Sequence, residues 1–233
     1  MKAMPYLQVL HGLHGKKITS LIIIPKFNNR IFMPRLYYFH DPMCSWCYAF
    51  DVALKRIEAN LPDSLSLIKI LGGLAADSTE PMPEVLQNAI KANWQRIEQT
   101  VPHVQFNYDF WDNNQPIRST YPACRAVLAA KKQAVVFEDK MIQQIQWAYY
   151  KNAANPSLNE TLYNCAKVVG LDVDAFKVDY HSSMINHQLQ KQIKLARLMG
   201  VSSYPSLLLK INNKLLPIKV DYNDEQSMLR QLT

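Results

Sequence analysis

The 233-residue chain has few of the residues that mark non-globular protein classes. It contains 4 cysteines and 6 glycines, too few for a disulfide scaffold or a glycine-rich fibrous repeat. The apolar run at residues 18–24 is far shorter than the roughly 20 residues that span a bilayer. Hydrophobic residues make up 48% of the chain and charged residues 19%, a balance typical of folded proteins. The composition predicts a globular protein with a sizeable core and no membrane partner.

Acidic residues are missing from the first 35 positions, which carry six of the 26 basic residues. Residues 36–233 hold the other 20 basic residues and all 19 acidic residues, so the body is nearly neutral. The leading segment therefore carries +6 of the net charge of +7. Nucleic-acid binding needs a basic surface on the folded part, so we expect no nucleic-acid partner.

The leading segment does not match the common targeting signals. The apolar run is followed by Pro25 and Lys26 instead of a small-residue cleavage site, which argues against a secretory signal. Gly12 and Gly15 interrupt the amphipathic helix that a mitochondrial transit segment would form. We therefore predict that residues 1–33 are a disordered extension and that the protein is cytoplasmic, a compartment that keeps thiols reduced.

Short strand patterns flank a long block of helical patterns. The predicted elements outside the block are a strand at 35–40, a helix at 44–60, a strand at 65–71, strands at 206–211 and 215–220, and a helix at 224–232. This order is βαβ, then helices, then ββα, which predicts an α/β fold with parallel first strands. We predict one domain from residues 34–76 and 200–233, with a helical domain of residues 77–199 inserted into it.

Two features inside the helical block carry local predictions. Ser157 followed by Glu160 is a capping-box pattern that predicts a helix start at Ser157. The aromatic connector at 101–121 predicts an ordered loop over the core. Its aromatic residues, together with Trp94, line a groove or belong to the core, and the sequence leaves both readings open.

The strongest motif is Cys44-Ser45-Trp46-Cys47, between the first strand and the first helix. A C-x-x-C at this junction is typical of a redox dithiol, because unpaired N–H groups at a helix start stabilise a thiolate. A zinc site would need four ligands, and the other thiols, Cys124 and Cys165, lie singly in the sequence. A disulfide across two residues closes too small a loop to add much stability. We expect Cys124 and Cys165 to be buried small hydrophobic residues and expect no metal site.

The residues around this motif carry a family resemblance. The segments Phe39–Tyr48 (FHDPMCSWCY) and Val201–Ser206 (VSSYPS) resemble those of DsbA-like thioredoxin-fold oxidoreductases, in the branch typified by cytoplasmic FrnE-like proteins. The resemblance implies a thioredoxin fold whose βαβ and ββα halves are separated by an all-helical insertion. It also implies that Cys44 is the nucleophile, Cys47 the resolving thiol and Pro205 a cis-proline opposite them.

The same resemblance extends to the residue before the proline. It implies a cis Tyr204–Pro205 bond beside the Cys44 sulfur, with the Tyr204 backbone free to pair with an extended substrate. Two further residues are candidates for substrate binding. Trp46 provides an aromatic contact surface or packs internally, and His40 supports the thiolate as an imidazolium or is a buried hydrogen-bonded residue.

These features together predict a protein-disulfide oxidoreductase that works as a reductase or isomerase on disulfide-containing proteins or glutathione, without a cofactor. One alternative is a glutathione-dependent isomerase or transferase of the same fold, although that branch places Ser where this chain has Cys44. A second alternative is a peptide-binding holdase with incidental thiols. The sequence does not indicate the oligomeric state.

Overall fold

The computed structural model describes residues 34–212 and 214–232, so the predicted extension at 1–33 lies outside the described residues. These described residues form one compact unit. The described strands are β1 (Arg35–His40), β2 (Ser66–Leu71), β3 (Ser206–Ile211) and β4 (Lys214–Ile218). They form a four-stranded sheet in the order β2-β1-β3-β4. Strand β1 is parallel to β2 and antiparallel to β3, and β3 is antiparallel to β4, so the predicted βαβ and ββα halves are confirmed.

Strand β1 lies at the centre of the sheet because its apolar side chains alternate between two buried faces. Leu36 and Tyr38 pack in one cluster, whereas Tyr37 and Phe39 pack in another on the opposite face. A strand that is buried on both faces is expected to be a continuous apolar run, as this one is. The burial continues past the end of the strand, since residues 41–44 are buried too.

Helices account for the remaining described architecture. They are α1 (Ser45–Ala59), α2 (Glu84–Thr100), α3 (Asp109–Asn113), α4 (Tyr121–Gln133), α5 (Val136–Tyr150), α6 (Asn159–Val169), α7 (Val173–Tyr180), α8 (Ser183–Leu198) and α9 (Glu225–Leu229). Helices α2 to α8 lie between β2 and β3 in the chain, as the predicted insertion requires. Assigning the insertion as a domain of its own stays a prediction. None of the helices in the described part combines the length and apolar character that a bilayer crossing needs.

The helical insertion shares its core with the start of α1. Met43, Ala49 and Leu71 belong to the same buried cluster as the apolar faces of the inserted helices. Trp94 of α2 is fully buried at the centre of this cluster, stacked on Phe106 with ring centroids 4.7 Å apart. The aromatic residues of the connector therefore belong to the core, except Tyr108, which is half-buried against it. The short helix α3 forms inside the segment predicted to be a loop.

The capping-box prediction is wrong. Helix α6 begins after Leu158, whose side chain makes no cap. The Ser157 hydroxyl instead donates to the carbonyl of Ser119 at 2.8 Å. Ser157 therefore lies one residue before the N-cap, with its hydroxyl turned toward a carbonyl that is distant in the sequence.

Candidate active site

Cys44 is the N-cap residue of α1 and sits at the end of a tight turn after β1. Its backbone N–H donates to the Asp41 carbonyl at 3.0 Å, and its own carbonyl accepts the first helical hydrogen bond from Tyr48 N–H at 3.0 Å. This position puts the sulfur beside the unpaired N–H groups of the first helical turn, the positive end of the helix dipole. Cys44 and Cys47 are both free thiols in the structure.

Cys47 lies one turn inside α1 and is more deeply enclosed than Cys44. The residue is 2% exposed, against 6% for Cys44. Burial raises the pKa of the Cys47 thiol well above its ordinary value, and the adjacent Cys44 raises it further. The two thiols therefore have different surroundings, with the one at the helix start closer to solvent and the other enclosed.

The Tyr204–Pro205 peptide bond is cis, as predicted. The Cys44 Sγ lies 3.5 Å from the Tyr204 carbonyl oxygen and donates to it, although 160 positions separate the two residues. Tyr204 and Pro205 are half-buried residues beside this sulfur. The structure thus brings Cys44, Cys47, Tyr204 and Pro205 into one site.

The Tyr204 side chain fixes this segment against the end of β2. Its hydroxyl donates to the Gly72 carbonyl at 2.9 Å, and burial raises the pKa of that hydroxyl to about 12. The ring lies so close to Gly72 that a Cβ added there would stand 2.0 Å from the ring. Glycine at this position therefore leaves the space in which the tyrosine ring sits.

Trp46, between the two thiols, is half-buried at the protein surface. Its ring packs on Tyr222 with centroids 5.0 Å apart, and the Arg96 guanidinium lies over it at 5.3 Å. The tryptophan is both packed and partly accessible, so the structure accommodates both predicted roles.

His40 does not lie where a substrate contact would. It is 2% exposed and stacked on Tyr38 with ring centroids 4.9 Å apart. Burial, helped by the positive charge of Lys69, lowers the pKa of the imidazole to about 3. The imidazole is therefore neutral at neutral pH, and the structure does not support the predicted roles of His40 as an imidazolium partner of the thiolate or as a substrate-binding surface.

Asp41 belongs to the site, although the motif around Cys44 predicted no role for it. Its fully buried carboxylate accepts hydrogen bonds from Met43 N–H at 2.8 Å, Leu74 N–H at 2.7 Å and the Thr120 hydroxyl at 2.6 Å. Burial raises the pKa of the carboxyl group, and these hydrogen bonds oppose the rise. Asp41 thus connects the Cys44 turn to the end of β2 and to the start of α4. The one sequence feature that could have indicated this role is a charged residue in an otherwise apolar turn.

Tyr150 makes a second connection from the insertion to the same turn. Its buried hydroxyl donates to the Met43 carbonyl at 2.8 Å, and its ring stacks on Tyr48 with centroids 4.6 Å apart. The turn that presents Cys44 is therefore held from α4 and from α5. The helical insertion positions the dithiol as much as the sheet does.

The other two cysteines are buried, as predicted. Cys124 donates to the Asp41 carboxylate at 3.5 Å, and burial raises the pKa of its thiol well above the ordinary value. Cys165 donates to the Gln144 carbonyl at 3.7 Å, and burial raises the pKa of its thiol to about 12. Within residues 34–212 and 214–232, no three His, Cys, Asp or Glu side chains are grouped so that they could hold a metal ion.

Comparison with known proteins agrees with this geometry. A sequence model of the thioredoxin family matches residues 37–229, which include both cysteines and the cis-proline. The chain belongs to the thioredoxin family. Within that family fold, the DsbA-like arrangement predicted from the sequence is confirmed, with α2 to α8 as the helical insertion between the two halves of the sheet.

Two solved structures illustrate the shared thioredoxin fold. A structure from Nitrosomonas europaea superposes with a TM-score of 0.71 and 24% identity, covering 85% of this chain and 95% of that one. The cytosolic disulfide reductase DsbM from Pseudomonas aeruginosa superposes with a TM-score of 0.68 and 21% identity, covering 84% of this chain and 97% of that one. At these identities the likeness establishes the fold.

The curated relatives that this chain matches are named as adapter proteins and not as oxidoreductases. The ClpXP adapter protein SpxH of Halalkalibacterium halodurans is 25% identical over 185 residues, covering 74% of this chain and 57% of its own length. SpxH of Bacillus subtilis is 25% identical over 173 residues, with 74% and 56% covered. The chain thus spans a little over half the length of these relatives.

Proposed function

We propose that the protein is a thiol-disulfide oxidoreductase in which Cys44 attacks and Cys47 resolves. The Cys44 thiolate attacks one sulfur of a substrate disulfide, forming a mixed disulfide and releasing the first substrate thiolate. Cys47 then loses its proton and attacks the Cys44 sulfur, forming the Cys44–Cys47 disulfide and releasing the second thiolate. Two electrons pass from the protein dithiol to the substrate, and no cofactor enters the balance.

One observation carries this proposal. The sulfur at the start of α1 lies 3.5 Å from the backbone carbonyl that precedes the cis-proline, while the second thiol is enclosed one turn further along. We therefore assign the attack on substrate to the first thiol, and the second interacts with the first and is placed to resolve the mixed disulfide. The half-buried Tyr204–Pro205 segment and the half-buried Trp46 side chain are the surfaces that we assign to substrate binding.

We further propose that the protein works as a reductase or isomerase in the cytoplasm, on disulfide-containing proteins or glutathione. Support comes from the neighbours: DsbM is named a cytosolic disulfide reductase, and one DsbM structure was solved with glutathione. A reducing compartment keeps a dithiol in its reduced form, which is the form that donates electrons.

Single-cysteine variants test the assigned roles. Cys47→Ser should accumulate a mixed disulfide with a glutathione disulfide probe, because nothing then resolves it, whereas Cys44→Ser should form none. The measurement is intact mass after incubation, with Cys165→Ser as a matched control that should behave like the wild type, because Cys165 contacts Gln144 and not the Cys44 turn. Equal adduct formation by the Cys44→Ser and Cys47→Ser variants would contradict the assignment.

A protein-adapter function is the second candidate, because the curated relatives are named ClpXP adapters. An adapter would bind a protein partner through its surface and would not require the thiols for binding. The Cys44→Ser/Cys47→Ser double variant separates the two functions when it is compared with the wild type for reductase activity and for binding of a purified ClpX. Full ClpX binding with no reductase activity in the double variant would support an adapter role beside the redox role. Absence of binding in the wild type would leave the oxidoreductase alone.

A further inference from the structure

An arginine of the helical insertion lies beside the dithiol motif. The guanidinium of Arg96, on α2, is 5.3 Å from the centroid of the Trp46 ring. Trp46 lies between Cys44 and Cys47 in the sequence and belongs to the first turn of α1. Arg96 is an exposed residue and Trp46 a half-buried one. The insertion therefore places a positive charge next to the ring that we assign to substrate binding.

Tyr222 connects this charge to the two thiols. Its ring packs on Trp46 with centroids 5.0 Å apart and on Phe50 of α1 with centroids 5.8 Å apart. Burial raises the pKa of the Tyr222 hydroxyl, the negative charges of Cys47 and Cys44 raise it further, and the positive charge of Arg96 opposes the rise. Because electrostatic interactions weaken with distance, the guanidinium and both sulfur atoms lie in the same neighbourhood.

The charge of Arg96 has no carboxylate partner among residues 34–212 and 214–232. Its Nη2 donates to the Asn93 Oδ1, one turn earlier in α2, at 2.9 Å. The Asn93 amide is neutral, so this hydrogen bond orients the guanidinium and leaves its charge uncompensated. A guanidinium carries five N–H donors in a planar fork that matches a carboxylate, and Asn93 occupies one of them.

The acidic side chains closest in sequence to this site are held by other groups. On α2, the Glu98 carboxylate accepts hydrogen bonds from Phe106 N–H at 2.8 Å and from the Tyr108 hydroxyl at 3.0 Å. Asp221, next to Tyr222, accepts from two backbone N–H groups of its own turn at 2.9 and 3.0 Å. These hydrogen bonds keep both carboxylates in place, so the Arg96 fork is available to a ligand.

We propose that Arg96 determines substrate specificity by binding a carboxylate next to the disulfide that Cys44 attacks. This inference rests on the proposed function, because it names the substrate class of that reaction. The substrates are disulfides with an anionic group beside the sulfur atoms, either glutathione disulfide or a protein disulfide flanked by Asp or Glu. Arg96 contacts the carboxylate and not the sulfur atoms, so the covalent steps remain those of the two thiols.

The test compares three small symmetric disulfides that differ in charge. Dithiodipropionate is anionic, hydroxyethyl disulfide is neutral and cystamine is cationic. The full-length Cys47→Ser protein should form a mixed disulfide with each probe, and intact mass after acid quenching gives the second-order rate constant. Each rate constant of an Arg96 variant in this background is divided by that of the protein with Arg96, so that the intrinsic reactivity of the probe cancels.

Arg96→Gln should change the three rate constants differently. At low salt, the rate constant should fall about fivefold with the anionic probe, stay within about 1.5-fold with the neutral probe and rise about twofold with the cationic probe. Salt at about 0.5 M should reduce these changes to less than twofold, because it screens exposed charges. Arg96→Lys keeps the charge without the planar fork and should retain part of the preference.

Lys91→Gln is the matched control. It removes one positive charge from the same helix, and the Lys91 ammonium lies 5.4 Å from the centroid of the Trp111 ring instead of the Trp46 ring. All three rate constants should stay within about 1.5-fold of those with Lys91. The two variants change the net charge equally, so the control separates a contact at Arg96 from the general attraction of anions by a basic protein.

Two further probes distinguish the sources of the carboxylate. Glutathione disulfide represents the small-molecule source, and disulfide-linked peptides with Glu or with Gln on both sides of the cysteine represent the protein source. A loss in Arg96→Gln with glutathione disulfide supports the inference and assigns the carboxylate to glutathione. A loss with the Glu peptide but not with the Gln peptide supports it and assigns the carboxylate to proteins.

Three results would overturn the inference and leave the proposed function standing. They are an unchanged rate constant with every anionic probe in Arg96→Gln, an equal loss with anionic, neutral and cationic probes, or the same loss in Lys91→Gln. An equal loss with all three would mean that Arg96 supports the structure or reactivity of the dithiol and not its choice of substrate. If the Cys47→Ser protein with Arg96 forms no adduct with any probe, the proposed function itself is refuted.

Discussion

Replacing His40 should change how the stability of the protein depends on pH. In the folded protein burial lowers the pKa of this imidazole to about 3, whereas in the unfolded chain it titrates near 6.5. Above pH 6.5 the imidazole is neutral in both states and adds no pH dependence. Below pH 6.5 the unfolded chain takes up the proton and the folded protein does not, so acid favours unfolding.

The size of the effect follows from the two pKa values. The free energy of unfolding should fall by about 1.4 kcal/mol for each pH unit below 6.5 until the pH nears 3. At pH 5 the loss due to His40 is about 2 kcal/mol, and at pH 7 it is close to zero. Other groups also titrate in this range, but a comparison of the wild type with His40→Phe cancels their contribution.

Urea unfolding at pH 5 and pH 7 measures the effect. The free energy of unfolding of His40→Phe, compared with that of the wild type, should be about 2 kcal/mol higher at pH 5 than at pH 7. This expectation holds for any difference in stability between the two proteins at pH 7. The slopes of the unfolding curves should match between the two proteins, so that the midpoints report stability. A difference that stays constant between the two pH values would mean that folded His40 accepts a proton normally, and the reasoning from its burial would be refuted.

Two further substitutions test how the dithiol is held. Gly72→Ala should lower the free energy of unfolding by about 1–3 kcal/mol and abolish most of the reductase activity, because the new Cβ would meet the Tyr204 ring at 2.0 Å. Gly170→Ala is the control: its φ of 86° makes alanine strained, but the position is open to solvent. It should lower the free energy of unfolding by about 1–2 kcal/mol and leave the activity intact. Thermal unfolding together with a reductase assay distinguishes the two glycine variants. An equal loss of activity in both would contradict the claim that Gly72 makes room for the Tyr204 ring. Tyr150→Phe should lower the free energy of unfolding by about 1–2 kcal/mol, because the buried Met43 carbonyl loses the hydroxyl that donates to it at 2.8 Å. An unchanged unfolding midpoint would show that this hydrogen bond contributes little.

Local patterns predicted the elements that carry the site. The aromatic run at Arg35–His40 forms β1, and the three- and four-residue spacing after Cys44 forms α1, with boundaries within a residue or so of those predicted. Strand β4 begins one residue earlier and ends two residues earlier than predicted, and the C-terminal helix is shorter, with a 3-10 turn at Arg230–Leu232. Interior helices and strands depend on the burial of a repeating apolar face, which the sequence displays directly.

Patterns that depend on polar partners were less predictable. The Ser157 hydroxyl bonds to Ser119, 38 positions away, and leaves the start of α6 without a side-chain cap. A capping box needs the serine at the N-cap, but Leu158 occupies that position and the Ser157 hydroxyl is turned toward a distant carbonyl. The short helix α3 likewise forms where aromatic side chains are drawn into the core around Trp94.

The sequence by itself determined the strand–helix junction at the dithiol, because a C-x-x-C at a helix start places two thiols one turn apart by local geometry alone. The cis bond at Pro205 and its place beside Cys44 were expected from family resemblance, whereas the 3.5 Å approach itself comes from the pairing of β1 with β3. The hydrogen bond from Thr120 to Asp41 and the burial of His40 as a neutral ring, in contrast, are visible only in the tertiary structure. The physical reason is distance along the chain: burial and hydrogen-bond partners are set by elements far apart in sequence, whereas helix and strand periodicity is set by neighbours.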